Sequence, residues 1–345
     1  MLPESRRSAG TAGSSKLTWS LNQPRVRSIV YQALLAAAVG FAAWYFVFNA
    51  MENLMARRIA SGFGFLSREA GFEIGETTLL SYDAGDTYLR ALAVGLFNTF
   101  RVATLAIIFS TILGALIGLA RLSHNWLVAK LAAGYIEGIR NVPLVVQLFF
   151  WYAVITESLP APADALNPLP SVFLSNRGFA FPILASVVPI EMDSPQLHGF
   201  NFSGGGLLSP EFAALFLGLT LYTAAFIAEI VRAGILAVDP GQFEAACSLG
   251  LNQRQVMRFV ILPQALRVIV PPVTSQYLNC TKNSSLAVAI GYPDLVSIAN
   301  TTINQTGQAI EGIAIIMFVY LTISLAISCF MNWYNRRFAL RGSKP

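Results

Sequence analysis

The 345-residue chain is 55% hydrophobic and only 12% charged, with a mean hydropathy of +0.58. A soluble domain carries about a quarter charged residues, so this composition excludes an ordinary soluble protein. The net charge of +5 is no nucleic-acid signal, because of where the unbalanced charge lies: Arg6, Arg7, Lys16, Arg25 and Arg27 stand against Glu4 alone in one tail, and Arg336, Arg337, Arg341 and Lys344 stand with no acid in the other. Apolar runs of roughly 20 residues between clusters of charge read as membrane-crossing helices, whereas a transmembrane barrel shows short alternating strands. Lys and Arg accumulate on the cytoplasmic side, so both ends are expected there. Cys247, Cys280 and Cys329 are widely spaced and the histidines are His124 and His198, which supports neither a disulfide framework nor a metal site.

In chain order, residues 1–28 read as a cytoplasmic tail and 29–50 as a first span. That run is too long, and begins too far into the chain, for a cleaved signal peptide. The acidic segment 51–90 is expected outside, followed by a second span over 91–120. The third is expected to run outward through 136–154. A Pro- and Gly-rich outer segment, 157–210, follows; its apolar patch FAFPILASVVPI contains Pro182 and Pro189 and is too short to cross, so it is expected to pack on the outer surface. The fourth span, 212–236, returns inward. The fifth starts near Leu266 and passes Pro271 and Pro272, and the sixth covers 313–333, with 336–345 as the final tail. The fold class is all-α, a polytopic bundle of about six spans with no soluble domain.

Between the fourth and fifth spans lies DPGQFEAACSLGLNQRQVMRFVILPQA, residues 239–265. Asp239 is a good N-cap, Pro240 fits the first helical position, and Gln242 stands where a capping box wants it. Gly250 is placed to end this helix in a left-handed conformation. Asn252 then caps a second helix with Gln255 three residues on, and Pro263 is expected to stop it. The product is a rigid polar hairpin at the inner face, within the loop 237–265.

The letters of the hairpin carry more than its caps. Glu244, Ala245, Ala246, three residues, Gly250, nine residues and then the run from Val260 to Leu262 and Pro263 resemble the EAA signature of permease subunits of bacterial ABC importers; the usual Ile of I-x-L-P is replaced by Val260. Further stretches resemble the polar amino-acid branch: GLFNTFR at 95–101, ARLS at 120–123, RNVPLVVQ at 140–147 and YLNCTKNSSL at 277–286. The ending MNWY at 331–334 and the added first span are similar to the general L-amino-acid permeases within it. The resemblance implies a type I importer permease core over 91–335 in a bacterial inner membrane, with Glu244, Ala245, Ala246, Gly250, Leu262 and Pro263 docking a cytoplasmic ATPase. It also implies the partners: an ABC ATPase homodimer, a second permease subunit that is a distinct homologue, a periplasmic amino-acid-binding protein and the lipid bilayer. Long members of that group carry extra hydrophobic segments where this chain has 157–210, a departure that bears on the outer architecture.

Ionisable groups inside a membrane are costly and often functional. Glu137 with Arg140, and Glu229 with Arg232, are spaced for i,i+3 pairs and are expected to anchor helix ends. Arg101, after Asn98 and Thr99, meets either a substrate carboxylate or the outer headgroups. Gln147 either binds a ligand or joins helices. The run Thr281, Lys282, Asn283, Ser284 and Ser285 follows a proline-disrupted helix, and irregular polar backbone at membrane depth is tolerated where it lines a cavity. Relatives often carry Asp at the position of Asn283, so its loss here is expected to widen the range beyond cationic substrates. The chain has no GxxxxGK[ST] phosphate loop, so ATP and Mg are expected on the partner ATPase and no cofactor on this chain. An ion-coupled secondary transporter is the alternative. It predicts acids near span centres, and the predicted centres contain none. A membrane hydrolase needs a nucleophile, base and orienter within reach, and with His124 expected in a cytoplasmic loop and His198 in an outer one, no His-based constellation stands out.

Overall fold

The computed structural model describes residues 24–56, 61–78, 80–186, 191–199 and 201–338. The chain divides into two compact units, 1–60 and 61–345. Helix α1 (Pro24–Ala56) belongs to the first, opens on a proline suited to an initial turn, and contains the apolar stretch Arg27–Asn49. The residues of both expected tails fall largely outside the described ones.

The second unit is built around α2 (Tyr88–Arg121) and α5 (Pro210–Leu236). Gly114 and Gly118, one turn apart on α2, let the two backbones meet: a Cβ on Gly118 would lie 2.6 Å from the Ala228 carbonyl oxygen. Helix association in lipid depends on such close van der Waals packing. Val102, Ala106, Leu148, Leu215 and Leu219 form one buried cluster in this unit, closed by Tyr292. Thr87 and Ser209 cap α2 and α5 by accepting from Arg90 N and Phe212 N.

The third expected span is broken. Helices α3 (Trp126–Asn141) and α4 (Leu144–Ser158) meet at an angle of 105°. Pro143 disfavours the helical region for the residue before it, and Val142 is extended at φ −98°, ψ 128°. Counting this pair as one, six segments among the described residues are long and apolar enough to cross a membrane.

The expected outer segment, 157–210, holds short strands. β1 (Leu166–Leu169), β2 (Val172–Ser175), β3 (Gly178–Phe181) and β8 (Gly206–Leu208) form an antiparallel sheet in that order. β4 (Ile183–Ser186) pairs with β5 (Glu191–Asp193), and β6 (Gln196–His198) with β7 (Asn201–Ser203). Most of the apolar patch expected to pack on the outer surface supplies β3 and β4, and 187–190 lie outside the described residues. Phe173 stacks on Phe202 at 4.7 Å, joining two of these ribbons.

After α5 come α6 (Pro240–Ser248) and α7 (Gln253–Val256), then one π-helical stretch, Met257–Ile261, leading into α8 (Leu262–Asn283). Pro263 does not stop the helix. A proline ring clashes with the carbonyl four residues back in a regular α-helix; here the turn ahead of it widens, and Leu262 N–H reaches the Met257 carbonyl, five residues back. α8 also runs through Pro271 and Pro272 and tightens into a 3₁₀ helix, Ser284–Ile290. The expected irregular backbone at 281–285 is therefore helical. α9 (Leu295–Thr306) and α10 (Ala309–Phe338) complete the unit.

Candidate functional site

The hairpin of α6 and α7 is rigid for reasons that can be traced bond by bond. Asp239 accepts from Gly241 N at 2.7 Å and caps α6. Gln242 does not complete a capping box there; its side chain instead accepts from Gln264 Nε2 at 3.5 Å, tying α6 to α8. At the far end Gly250 N donates to Cys247 O and Leu251 N to Ala246 O, the Schellman pattern, with Gly250 at φ +83°. Asn252 and Gln255 form the expected reciprocal capping box.

Ala246, Val256 and Ile261 form the hairpin's buried core, against Ile235 in the last turn of α5 and Val238 just beyond it. Of the EAA triplet, Ala246 thus faces inward, while Glu244 and Ala245 are exposed. Leu249, at the tip, is 83% exposed, and Phe243 and Met257 are exposed with it. Sequence reasoning passed over these three; large apolar residues inside an otherwise polar, punctuated hairpin were the available signal. Leu262 is exposed and Pro263 half-buried at the start of α8.

The expected substrate-path residues separate into three groups. Asn98, Thr99 and Arg101 are spent on protein partners. Asn98 Nδ2 donates to Glu76 O at 2.9 Å and Pro293 O at 3.0 Å, and the Thr99 hydroxyl accepts from Leu295 N at 3.1 Å. Arg101 neither snorkels nor stands free. Its guanidinium lies 3.0 Å from Glu76 Oε2 and 4.3 Å above the Phe212 ring, and Glu76 also accepts from Ser209 N at 3.3 Å. This clasp joins the segment before α2, the start of α5 and the turn before α9. Glu76 belongs to the acidic segment 51–90 that precedes α2.

Gln147 mends the helix break. Its Nε2 donates to Ile139 O at 2.9 Å and Val142 O at 3.0 Å, two carbonyls at the α3–α4 bend. Ser284 is buried and donates to Thr281 O at 2.7 Å, and Ser285 donates to Lys282 O at 2.7 Å. Lys282 is exposed and Asn283 half-buried at the end of α8.

The expected i,i+3 pairs are half right. Arg232 Nε and Glu229 Oε2 are 3.0 Å apart, and Arg121 bridges Glu229 at 3.3 Å and Glu137 at 3.5 Å, lacing α2, α3 and α5 together. Glu137 is thus taken by Arg121 rather than Arg140. Arg140 instead lies 4.8 Å over the Phe226 ring. It borders a cavity of about 600 Å³ shared with Glu229, Pro271, Pro272 and Gln276.

Residues 110–340 match the family described as "Binding-protein-dependent transport system inner membrane component". The chain is 43% identical to the general L-amino acid transport system permease protein AapQ of Rhizobium johnstonii, over 93% of this chain and 94% of that one. It is 37% identical to the glutamate/glutamine/aspartate/asparagine transport system permease protein BztB of Rhodobacter capsulatus, over 94% and 97%. Among solved structures, an amino acid ABC transporter crystallised with histidines superposes with a TM-score of 0.53 at 29% identity, covering 72% of this chain and 95% of that one.

Proposed function

On the premise that the chain belongs to the family of inner membrane components of binding-protein-dependent transport systems, we propose that it is the permease subunit of an ATP-driven importer of L-amino acids, driven through the α6–α7 hairpin. One observation carries the coupling role. The hairpin's first arm is packed onto the end of α5, and its second arm is continuous through the π turn with α8. A push on the hairpin is therefore delivered to two membrane helices at once. A loop held only at its ends would dissipate it.

In this reading both tails and the hairpin are cytoplasmic, and the strands of 157–210 are periplasmic. A cytoplasmic ATPase dimer receives Leu249, Phe243, Glu244 and Ala245, while Gly250 and Ala246 hold the shape that presents them. Leu262 and Pro263 form the root that passes displacement into α8. Closure of the dimer brings hairpins together and rocks the attached helices, exposing the path outward. ATP and Mg²⁺ belong to the ATPase, a second permease subunit completes the path, and a soluble amino-acid-binding protein delivers cargo. The relatives' names, one for general L-amino acid transport and one for glutamate, glutamine, aspartate and asparagine, support neutral and acidic L-amino acids as substrates. Lys282 and Asn283 remain path candidates at the end of α8; Asn283→Asp is expected to raise the uptake ratio of arginine to glutamate, and an unchanged ratio removes Asn283 from the path.

The test is a mild-detergent pull-down of the tagged chain from its native membrane, with mass spectrometry of what accompanies it. A stoichiometric ATPase together with a second permease supports the reading. A chain that purifies alone and moves amino acids in liposomes on an ion gradient without ATP refutes it in favour of a secondary transporter.

A further inference from the structure

We propose that the cavity between α3, α5 and α8 is a binding site for the backbone of a free L-α-amino acid, with Arg140 as its carboxylate-binding residue. The inference rests on the amino-acid permease reading above and names the residues that meet the cargo. At about 600 Å³ the cavity is within the roughly 300–1,000 Å³ typical of small-molecule sites.

Arg140 is the one arginine of its ionic neighbourhood whose donors are uncommitted. Arg121 and Arg232 are both engaged with carboxylates. Among the described residues no protein oxygen accepts from Arg140; its guanidinium rests 4.8 Å over the Phe226 ring instead. Stacking of this kind fixes the plane of the fork while leaving its N–H edge open, the geometry that binds a carboxylate through two parallel hydrogen bonds. Arg140 is exposed in the last turn of α3 and feels the charge of Glu229, but that carboxylate is hydrogen-bonded to Arg121 and Arg232, which leaves the Arg140 N–H donors for a ligand.

Other residues lining the cavity suit an ammonium. Ser275, one turn on from Pro271 and Pro272 in α8, lines the cavity with a hydroxyl. Gln276 adds a side-chain carbonyl, and Glu229, shared between Arg121 and Arg232, contributes negative charge on the same cavity. A zwitterion thus finds a cationic fork and acceptors lining the same cavity. Because both contacts are to the α-carbon substituents common to all amino acids, the site predicts recognition that is indifferent to the side chain.

The test uses the assembled complex, reconstituted with its ATPase, second permease and binding protein, and radiolabelled L-glutamine as probe. Arg140→Met is expected to raise the KM for uptake at least tenfold, with Arg140→Lys in between, while all subunits still co-purify in wild-type proportion. A wild-type KM in Arg140→Met overturns the proposal. So does loss of the second permease from that variant's complex, which would make Arg140 an assembly contact. If the variant does not accumulate, phenylglyoxal modification of Arg140 in the wild-type complex, followed by mass spectrometry, decides. Slowing by saturating L-glutamine but not by its α-carboxamide analogue is expected, and equal rates overturn the assignment. Failure of the wild-type chain to bring down any ATPase is a different result, and it refutes the permease reading instead.

Discussion

Replacing Arg101 by Met removes the cation from a buried clasp. The side chains of Arg101 and Glu76 are 13% and 7% exposed and 3.0 Å apart. Without Arg101, Glu76 keeps Ser209 N–H and the Thr78 hydroxyl but loses its counter-charge. Removing one member of a buried pair costs about 3–5 kcal/mol, because the remaining charge stays desolvated. On the scale of soluble domains that lowers an apparent melting temperature by on the order of 10 °C. Neutralising the survivor reverses most of the penalty, so Arg101→Met combined with Glu76→Gln should regain at least half of the lost stability. The assay is thermal unfolding of the solubilised chain, followed by size-exclusion chromatography, paired with amino-acid uptake in cells. A substrate-binding Arg101 behaves differently: Arg101→Met then raises KM at unchanged stability, and Glu76→Gln restores nothing. That outcome refutes the clasp.

Gly250→Val places a β-branched residue at φ +83°, a conformation costing non-glycine residues about 1–2 kcal/mol; a Cβ there meets nothing within 4 Å, so the loss is purely conformational. Uptake should fall while membrane insertion, read by fractionation, stays normal. Gln147→Leu orphans the carbonyls of Ile139 and Val142 at the α3–α4 bend and should destabilise the chain by about 1–3 kcal/mol per unpaired group, seen as a lower melting temperature. Asp294, in the turn between α8 and α9, is fully buried with Oδ2 unpartnered, and desolvation raises its pKa from 3.8 to about 7. The folded state therefore favours the protonated form: its contribution is complete below about pH 4, is lost as pH rises toward about 7, and is flat above that. Melting temperatures across this range should show the slope, and Asp294→Asn should flatten it.

The long helices were legible because membrane thickness imposes a run length that composition alone reveals. The hairpin was legible because caps are local chemistry: Asn252 with Gln255 and the left-handed Gly250 are specified within a few residues. What escaped sequence reasoning depended on distant partners. Pro143 breaks its span and Pro263 does not, although both are prolines in apolar surroundings. Gln147 stitches one break, whereas a single widened turn absorbs the other. Arg101 was legible as a buried charge, but its partner Glu76 lies 25 residues away in a segment without regular structure. The strands of 157–210 are three or four residues each, too short for a period of two to stand out. The free edge of Arg140 was hidden because sequence spacing paired it with Glu137, which Arg121 takes from another helix.

The most direct test of the coupling claim is site-specific photocrosslinking from Leu249, the exposed tip of the hairpin, in native membranes. A photoreactive residue there is predicted to form a covalent adduct with an ABC ATPase subunit, and the adduct should weaken when Gly250→Val is added in the same chain. Efficient incorporation with adducts only to lipid or to itself, and none to an ATPase, would contradict the account.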